Sequence, residues 1–229
     1  LPRTLLDRLL RRTREVVEYQ HLNATRRVVL MDETKVDYWY GDAGFRHNAT
    51  RGIVLHKGEI IYGELVGYTD SGAPIMETQT GKELKALFGT DTVTYSYGQS
   101  VGTCQLYVYR ICVMMPDGNS QELSWEQTKG RCDELGLKHV PDLKVIDVVE
   151  KTTRLHNELT HDNLLKLVDG IVESSKSSTL STSHPQEGVC VRWEKGNRFG
   201  ILKHKSHLFG VLEGYLRDKE DFVDSEEVV

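Results

Sequence analysis

The chain has 229 residues, of which 38% are hydrophobic and 28% charged, an ordinary composition for a globular protein with one substantial core. The formal net charge of -5 argues against a uniformly basic nucleic-acid coat but allows a local basic groove. No apolar run approaches the roughly 20 residues of a membrane-spanning helix, and no signal-type apolar core follows the basic N-terminus. We therefore expect no membrane partner.

The four cysteines, Cys104, Cys112, Cys132 and Cys190, form no C-x-x-C pair. Such pairs, or an even set of closely spaced cysteines, are the usual marks of a zinc site or a disulfide framework. Their absence predicts free thiols in a reducing compartment. Together with the lack of a spanning segment, this predicts a cytoplasmic protein.

The first 17 residues predict a basic amphipathic helix. Leu5, Leu6, Leu9 and Leu10 fall on one helical stripe, and arginines cover much of the remaining surface. We favour packing of this helix against a domain over the alternative, a contact with nucleic acid. We divide the chain into this helix, residues 1–17, and one domain over residues 18–229.

Apolar runs predict strands in the first part of the domain. Residues 24–31 have the pattern of a strand, and residues 52–68 that of a hairpin that turns at Lys57-Gly58. Residues 104–115 form a strongly apolar run that ends at a Pro-Asp-Gly turn. These segments favour mainly antiparallel strands.

Helical patterns follow. Residues 123–135 predict a helix with Ser124 as its N-cap and Gly136 as its stop. Residues 155–172 predict one or two further helices, and the serine-rich residues 174–184 predict a mobile loop. Antiparallel strands with interspersed helices are typical of the α+β class.

Two strands near the C-terminal end carry charges that point to one place. Glu187-Gly188 open the first strand, and Lys203 and Lys205 occupy alternate positions of the second. Alternate residues project from the same face of a strand, so the two ammonium groups repel each other unless an anion lies between them. A polyphosphate is the obvious anion, and Glu187 could hold the divalent metal that accompanies it.

Two further segments carry candidate ligand-binding side chains. Glu64 is an isolated carboxylate in an apolar run behind Gly63. It either faces solvent, which the segment alone favours, or meets a polar ligand such as a ribose hydroxyl, because burying an unpaired carboxylate is costly. Tyr107 and Tyr109 share a strand face. Such pairs are more often core packing than a stacking platform for a purine.

Neither standard glycine-rich phosphate loop is present. Taken in order, the segments resemble the motifs of the covalent nucleotidyltransferase superfamily, most closely those of the ATP-dependent RNA ligases. The resemblance rests on four segments: Tyr62-Gly63-Glu64-Leu65-Val66-Gly67, Leu106-Tyr107-Val108-Tyr109-Arg110-Ile111, Glu187-Gly188-Val189-Cys190-Val191-Arg192 and Leu202-Lys203-His204-Lys205-Ser206. It implies an α+β ligase adenylation fold, with two antiparallel sheets flanking a nucleotide cleft.

The resemblance also implies a division of labour. Glu64 would bind the ribose, Tyr107 or Tyr109 would stack on adenine, and Glu187 would help to hold Mg²⁺ or Mn²⁺. Lys203 and Lys205 would contact the nucleotide phosphates and stabilise charge on the transferring phosphorus, as phosphoryl transfer requires.

Three arginines are weaker candidates under the same resemblance. Arg192 would make a supporting polar contact, and either Arg26 or Arg27 would contact the phosphate or ribose of the substrate. The implied cofactor is ATP with Mg²⁺ or Mn²⁺, and the implied partner is RNA with 5′-phosphate and 3′-hydroxyl ends. The implied reaction forms a lysine–AMP adduct, passes AMP to the RNA 5′-phosphate and seals the strand.

The nucleophilic lysine is the one departure from the family pattern. The family carries it in K-x-[DHN]-G, whereas the only K-x-D that precedes Glu64 is Lys35-Val36-Asp37, which is followed by Tyr38 and lies close to Glu64. The stretch between Val16 and Arg26 holds only VEYQHLNAT. Three interpretations follow, in decreasing order of preference: the segment with the nucleophile is missing from this sequence, the protein binds nucleotide without transferring it, or Lys35 is the nucleophile in an unusual setting.

The shared motifs leave other functions open. A DNA ligase and an RNA-capping guanylyltransferase carry the same motifs, and capping would favour GTP over ATP. A non-catalytic nucleotide- or RNA-binding module is the alternative outside the enzymes. Formation of a covalent nucleotide adduct distinguishes the enzymes from the binding module.

Overall fold

The computed structural model describes residues 20–26, 29–30, 44–146, 161–174, 177–196 and 198–214. The predictions for the N-terminal helix, for Arg27 and for Lys35 lie outside these residues. The described residues form ten strands and five helices. In chain order these are β1 (Asn23–Ala24), β2 (Val29–Leu30), α1 (Gly44–Thr50), β3 (Glu59–Gly67), β4 (Gln79–Thr80), α2 (Lys82–Phe88), β5 (Thr92–Val93), β6 (Cys104–Met114), β7 (Ser120–Glu122), α3 (Trp125–Leu135), β8 (Lys138–His139), α4 (His161–Ser174), β9 (Gly188–Lys195), β10 (Arg198–Lys205) and α5 (His207–Leu212).

The largest sheet is built on the antiparallel pair β3 and β6. β7 continues it on the other side of β6, and the short β8 pairs parallel to β6. The register places Glu64 opposite Tyr107 and shifts between Tyr62 and Gly63, where a bulge interrupts the ladder. Opposed residues of an antiparallel pair project from the same face, so Glu64 and Tyr107 share one side of this sheet.

The other side of the β3–β6 pair forms one hydrophobic core. Leu106, Val108 and Ile111 of β6 pack there with Cys132 of α3. α3 begins as its sequence predicts, because the Ser124 hydroxyl accepts from the Gln127 N–H at 3.2 Å and the Gln127 amide oxygen accepts from the Ser124 N–H at 2.9 Å. Gly136 ends the helix in the left-handed conformation.

The predicted hairpin over residues 52–68 is wrong. β3 begins at Glu59 and pairs with the much longer β6, while the segment before it forms no strand. That segment is held instead by side chains: Ile53 packs into the core, and the Val54 carbonyl accepts from Arg131 at 3.2 Å. The turn at Lys57 and Gly58 therefore directs the chain into β3 without folding it back on itself.

β9 and β10 form the predicted two-stranded antiparallel hairpin. Lys203 lies opposite Cys190, and Lys205 lies opposite Gly188. His204 projects from the other face, where its Nε2 lies 2.9 Å from Asp169 Oδ1 of α4. One face of the hairpin is thus joined to α4, and the lysines lie on the opposite face.

A second hydrophobic cluster joins the middle of the chain to its C-terminal part. Leu84 of α2, Val93 of β5, Tyr95 and Phe209 of α5 are its buried members. The serine-rich loop reaches this cluster through His184, which is fully buried and accepts the Tyr97 N–H at its Nε2 at 3.3 Å. Its described part, residues 177–184, is a packed loop.

The α+β class is confirmed as a mixed fold of small sheets and helices. The expectation of two antiparallel sheets is corrected, since the described strands form four sheets, of which β1–β2, β4–β5 and β9–β10 are two-stranded, and β8 is parallel to β6. The described helices include none that is long and apolar enough to cross a bilayer.

Candidate functional site

Glu64 lies beside the bulge of the β3–β6 pair, where Tyr109 of β6 is the extra residue. A Cβ on Gly63 would lie 2.8 Å from the Tyr107 carbonyl oxygen and 2.7 Å from Leu106 Cδ1, so only glycine lets β6 approach this closely. The Glu64 side chain is exposed, yet desolvation by the surrounding walls raises the pKa of its carboxyl, and the Lys203 ammonium partly offsets this rise. Glu64 therefore lies within electrostatic reach of a charged group of β10.

The two candidate tyrosines differ in accessibility. Tyr107 is only 8% exposed, and Lys138 Nζ lies 5.8 Å from the centroid of its ring. Tyr109 is 42% exposed, and its pKa is raised by desolvation and then by the Glu64 carboxylate. Tyr109 thus presents an open ring beside Glu64, whereas Tyr107 forms part of the buried wall behind it.

Glu187 is placed at the start of β9 by the glycine that follows it. Gly188 has φ 152, and a Cβ there would collide with the His204 carbonyl oxygen of β10. The backbone around this glycine is closed by Ser206, whose N–H donates to the Glu187 carbonyl at 2.8 Å. The Ser206 hydroxyl also donates to the Gln186 carbonyl at 2.7 Å. The Glu-Gly dipeptide therefore fixes the carboxylate next to the end of β10.

Lys203 and Lys205 reach this carboxylate from the adjacent strand. Lys203 is exposed and Lys205 is half-buried, and both ammonium groups favour the ionised form of Glu187. Lys205 Nζ also lies 3.4 Å from Glu213 Oε2 at the end of α5. The sequence prediction that the two lysines share one face is confirmed by their register opposite Cys190 and Gly188.

We call the group Glu64, Tyr109, Glu187, Lys203 and Lys205 the charged cleft. Its carboxylates are poorly neutralised. Desolvation raises the pKa of Glu187 to about 7, and the carboxylates of Glu64 and Glu213 add to the rise, against the opposing effect of the two lysines. At neutral pH this carboxyl is therefore close to half protonated, a state typical of a group arranged for function.

Sequence reasoning missed two residues at the edge of the charged cleft. Glu213 contacts Lys205, as described above, and Tyr95 is fully buried with a hydroxyl that has no hydrogen-bond partner among the described residues. Desolvation raises the pKa of Tyr95, and Glu187 and Glu213 raise it further. Packing of α5 against the loop that follows β5 brings both residues to the site, so no local sequence motif could have identified them.

The remaining predicted site residues lie elsewhere or have other partners. Arg192 donates to Glu122 at 2.6 Å, to Glu194 at 2.7 Å and to the Leu123 carbonyl at 3.1 Å. These contacts link β9 to β7 and favour a structural role, and ligand binding by Arg192 stays a prediction. Arg26 lies exposed at the bend between β1 and β2, and within the described part of the chain no contact joins it to the charged cleft.

The residues present fit a divalent cation with its nucleotide phosphates. The described residues contain no group of three His, Cys, Asp or Glu side chains that could hold a metal by themselves. Mg²⁺ commonly binds through one or two carboxylates and the oxygens of substrate phosphates. Glu187 supplies such a carboxylate, and its pKa is raised mainly by desolvation, which a bound cation would offset.

A family model described as RNA ligase matches residues 8–206, most of the chain and all four of its motif segments. Neither the search of curated proteins nor the search of solved structures found a match.

Proposed function

Since the chain belongs to the RNA ligase family, we propose that it is an ATP-dependent RNA ligase and that the charged cleft is its adenylation site. One observation carries this proposal. The folded chain brings Glu64 of β3 and Glu187 of β9 into the electrostatic reach of Lys203 of β10, although the sequence separates the first of them from the others by more than a hundred positions.

The proposed reaction has three steps in which each bond formed replaces one broken. A lysine Nζ attacks the α-phosphorus of ATP, pyrophosphate leaves, and the lysine loses a proton as it becomes a phosphoramidate. An oxygen of the RNA 5′-phosphate then attacks the same phosphorus and frees the lysine. Finally the RNA 3′-hydroxyl attacks the activated 5′-phosphate, a phosphodiester forms, and AMP leaves.

Lys203 and Lys205 stabilise the charge that develops on the phosphate oxygens in each step. Phosphoryl transfer depends mainly on such prearranged positive charge. The same pair lowers the pKa of any lysine that lies beside them, because like charges disfavour the protonated amine. A nucleophilic lysine in the charged cleft would therefore be more often in its reactive, neutral form.

Glu64 and Tyr109 provide the nucleoside contacts. The exposed carboxylate of Glu64 can accept hydrogen bonds from the ribose hydroxyls, which also offset its desolvation. Tyr109 offers an exposed ring for stacking of the adenine base, and stacking on an aromatic ring is worth about 1–3 kcal/mol per base. Tyr107 supports the wall behind Glu64 because its own ring is covered.

Glu187, together with Glu213 behind it, would hold the divalent cation. When bound, this cation supplies charge neutralisation at the nucleotide phosphates. Its binding would favour the ionised form of Glu187. Tyr95, whose hydroxyl lies in the field of both carboxylates, would then donate a hydrogen bond toward Glu187 and fix its rotamer.

An adduct assay tests the proposal. The protein is incubated with ATP labelled at the α-phosphate and with Mg²⁺, and covalent label is measured after denaturation. We expect an acid-labile adduct with ATP and little with GTP, and peptide mapping would identify the lysine that carries it. Lys35 is the candidate within this sequence, and it lies outside the described residues.

The matched control is the Lys203→Ala variant, which should retain its fold because this side chain is exposed. An adduct of equal yield in the wild type and in Lys203→Ala would show that labelling does not depend on the charged cleft. No adduct in the wild-type protein, with Mg²⁺ or with Mn²⁺, would establish the alternative in which the protein binds nucleotide without transferring it. An adduct with GTP alone would indicate a capping enzyme.

A further inference from the structure

A cavity lies away from the charged cleft. It has a volume of about 430 Å³, within the range of sites for small ligands. Its described lining consists of His21, Asn23, Leu30, His47, Thr50, Arg51, Gly52 and Ile53. We call it the histidine pocket. It lies between α1, the segment that follows α1, and the β1–β2 pair, and none of the sequence motifs touches it.

The histidine pocket lies on the other side of the central sheet from the charged cleft. Its wall residue Ile53 packs against the Leu106, Val108 and Ile111 side of β6. Tyr107, which lies opposite Glu64, projects from the alternate side. A ligand in the histidine pocket therefore cannot be the nucleotide that contacts Glu64.

The described residues prearrange a hydrogen-bond donor in this pocket. Asn23 Nδ2 lies 3.0 Å from His47 Nδ1, and the Thr50 hydroxyl lies 3.0 Å from Asn23 Oδ1. Because an amide nitrogen only donates, Nδ1 of His47 accepts, and the proton of the neutral ring lies on Nε2. This Nε2 is withdrawn from solvent and has no hydrogen-bond partner within the described part of the chain. Such an orphaned donor indicates a ligand atom that accepts.

The charge of the described lining favours an anionic ligand. Arg51 lies exposed at the rim, and His21 is exposed near it. The described lining contains two histidines and one arginine but no aspartate or glutamate. Phosphate oxygens are acceptors that pair well with a guanidinium and with an imidazole N–H.

We propose that the histidine pocket binds a phosphate of the RNA strand at a nucleotide remote from the joining site, with His47 Nε2 and the Arg51 guanidinium as its donors. The choice of RNA rests on the proposed function. The volume admits a nucleotide with its phosphate, and the pocket would anchor the RNA backbone while the charged cleft acts on its end. A backbone anchor contributes affinity without sequence preference.

The test measures RNA binding and adenylation separately in the full chain. Binding of a short single-stranded RNA with a 5′-phosphate and a 3′ fluorophore is followed by anisotropy over a range of salt concentrations, for the wild type, His47→Ala and Arg51→Gln. Lys85→Gln, which removes an exposed cation from α2, is the charge-matched control. We expect each pocket variant to raise the Kd about tenfold, the effect of one lost charge-assisted contact.

The salt dependence identifies the contact as a phosphate contact. Arg51→Gln should reduce the slope of log affinity against log salt by about 0.7, the value for one single-strand phosphate, whereas Lys85→Gln should leave the slope unchanged. Because Arg51 is exposed, Arg51→Gln should keep the fold, and it therefore still tests the role of the pocket if His47→Ala fails to fold. Unchanged affinity and slope in Arg51→Gln would overturn the proposal.

Adduct formation from ATP distinguishes this proposal from the proposed function. We expect the pocket variants to form the adduct as the wild type does, with only RNA binding weakened. If the variants lose the adduct as well, the pocket belongs to the nucleotide site and the inference of a separate anchor is wrong. If the wild type forms no adduct, the proposed function fails, while the RNA-binding measurement still decides the role of the pocket.

Discussion

Carboxylates in two regions of this molecule have opposite environments. At the start of β3, Glu59 receives two hydrogen bonds from Arg131, at 2.8 and 2.9 Å, and one from the His56 N–H at 2.7 Å. In the charged cleft, the described residues include no comparable hydrogen-bond donor to the Glu187 carboxylate, and other carboxylates lie near it. Burial disfavours the ionised form of both groups. The hydrogen bonds from Arg131 and His56 more than offset this for Glu59, so its pKa is lowered, whereas that of Glu187 rises to about 7.

Glu122 is a second carboxylate that is paired with arginines, in contrast to the carboxylates of the charged cleft. The side chain of Glu122 in β7 is 3% exposed and forms ion pairs with Arg110 at 2.5 Å and with Arg192 at 2.6 Å. These pairs join β6, β7 and β9 in a fixed arrangement. The fold thus places arginines against Glu59 and Glu122, and we propose that a ligand completes the carboxylates of the charged cleft, as is common where a functional site differs from its scaffold.

The largest effect is expected from removing positive charge in the cleft. Lys203→Ala should lower the rate of adduct formation about 100- to 1000-fold, since a prearranged charge at the transferring phosphate is lost. The free energy of unfolding should stay within about 0.5 kcal/mol of the wild type, as for other exposed sites. Rapid-quench kinetics and urea denaturation measure the two quantities, and Lys85→Ala is the control. A variant that adenylates normally would remove Lys203 from the site.

Breaking the ion pair between Glu59 and Arg131 should lower the stability of the fold and leave adduct formation unchanged. Glu59→Gln leaves the Arg131 guanidinium, which is 13% exposed, without its main partner, and should cost about 3 kcal/mol of unfolding free energy at neutral pH. Because the folded-state pKa of Glu59 is lowered from 4.5, its stabilisation is present above that pH and is lost as the pH falls through the folded-state pKa.

Urea denaturation at a series of pH values measures this loss. The difference between wild type and Glu59→Gln should shrink in acid, and adduct formation should be preserved wherever the variant is folded. A difference that is independent of pH would show that the ion pair is not its source.

The nucleoside contact should give an intermediate effect. Tyr109→Ala should raise the ATP concentration for half-maximal adduct formation about tenfold, since the base loses its stacking surface. Tyr109→Phe is the matched control, because it keeps the ring and removes only the hydroxyl. A loss of the same size in Tyr109→Phe would indicate that the hydroxyl, and not stacking, makes the contact.

The smallest effect is a gain in stability. Glu187→Gln removes a carboxyl that the fold holds in an unfavourable environment. Since its pKa rises from 4.5 to about 7 on folding, the wild type loses stability as the pH rises between these values, and the penalty persists above them. At about pH 8, without nucleotide or divalent cation, the variant should gain about 1 kcal/mol. Thermal unfolding measures this, and an equal gain in acid would exclude titration as the cause.

Local patterns in the sequence predict the parts of this fold that local interactions determine. Ser124, Gln127 and Gly136 mark the ends of α3 because capping involves only neighbouring residues. The β9–β10 hairpin and the shared face of Lys203 and Lys205 follow from strand periodicity and a short turn. The resemblance of the motif segments likewise led to the family that the family model confirms.

Non-local contacts account for what the sequence left open. The predicted hairpin over residues 52–68 fails because β6, far along the chain, is the better partner for β3. Glu213 and Tyr95 join the charged cleft only through packing of α5 against the β5 loop. The histidine pocket likewise combines His21, His47 and Arg51 from two separated segments, so no spacing rule reveals it.

The central claim is that the fold satisfies Glu59 and leaves Glu187 to a ligand. A pH titration of the glutamate side-chain carboxyl carbons by ¹³C NMR, assigned with Glu59→Gln and Glu187→Gln and recorded without nucleotide or divalent cation, tests it directly. The account predicts that Glu187 titrates at about 7 and Glu59 below the usual value of 4.5. Titration of both carboxyls at or below 4.5 would contradict it.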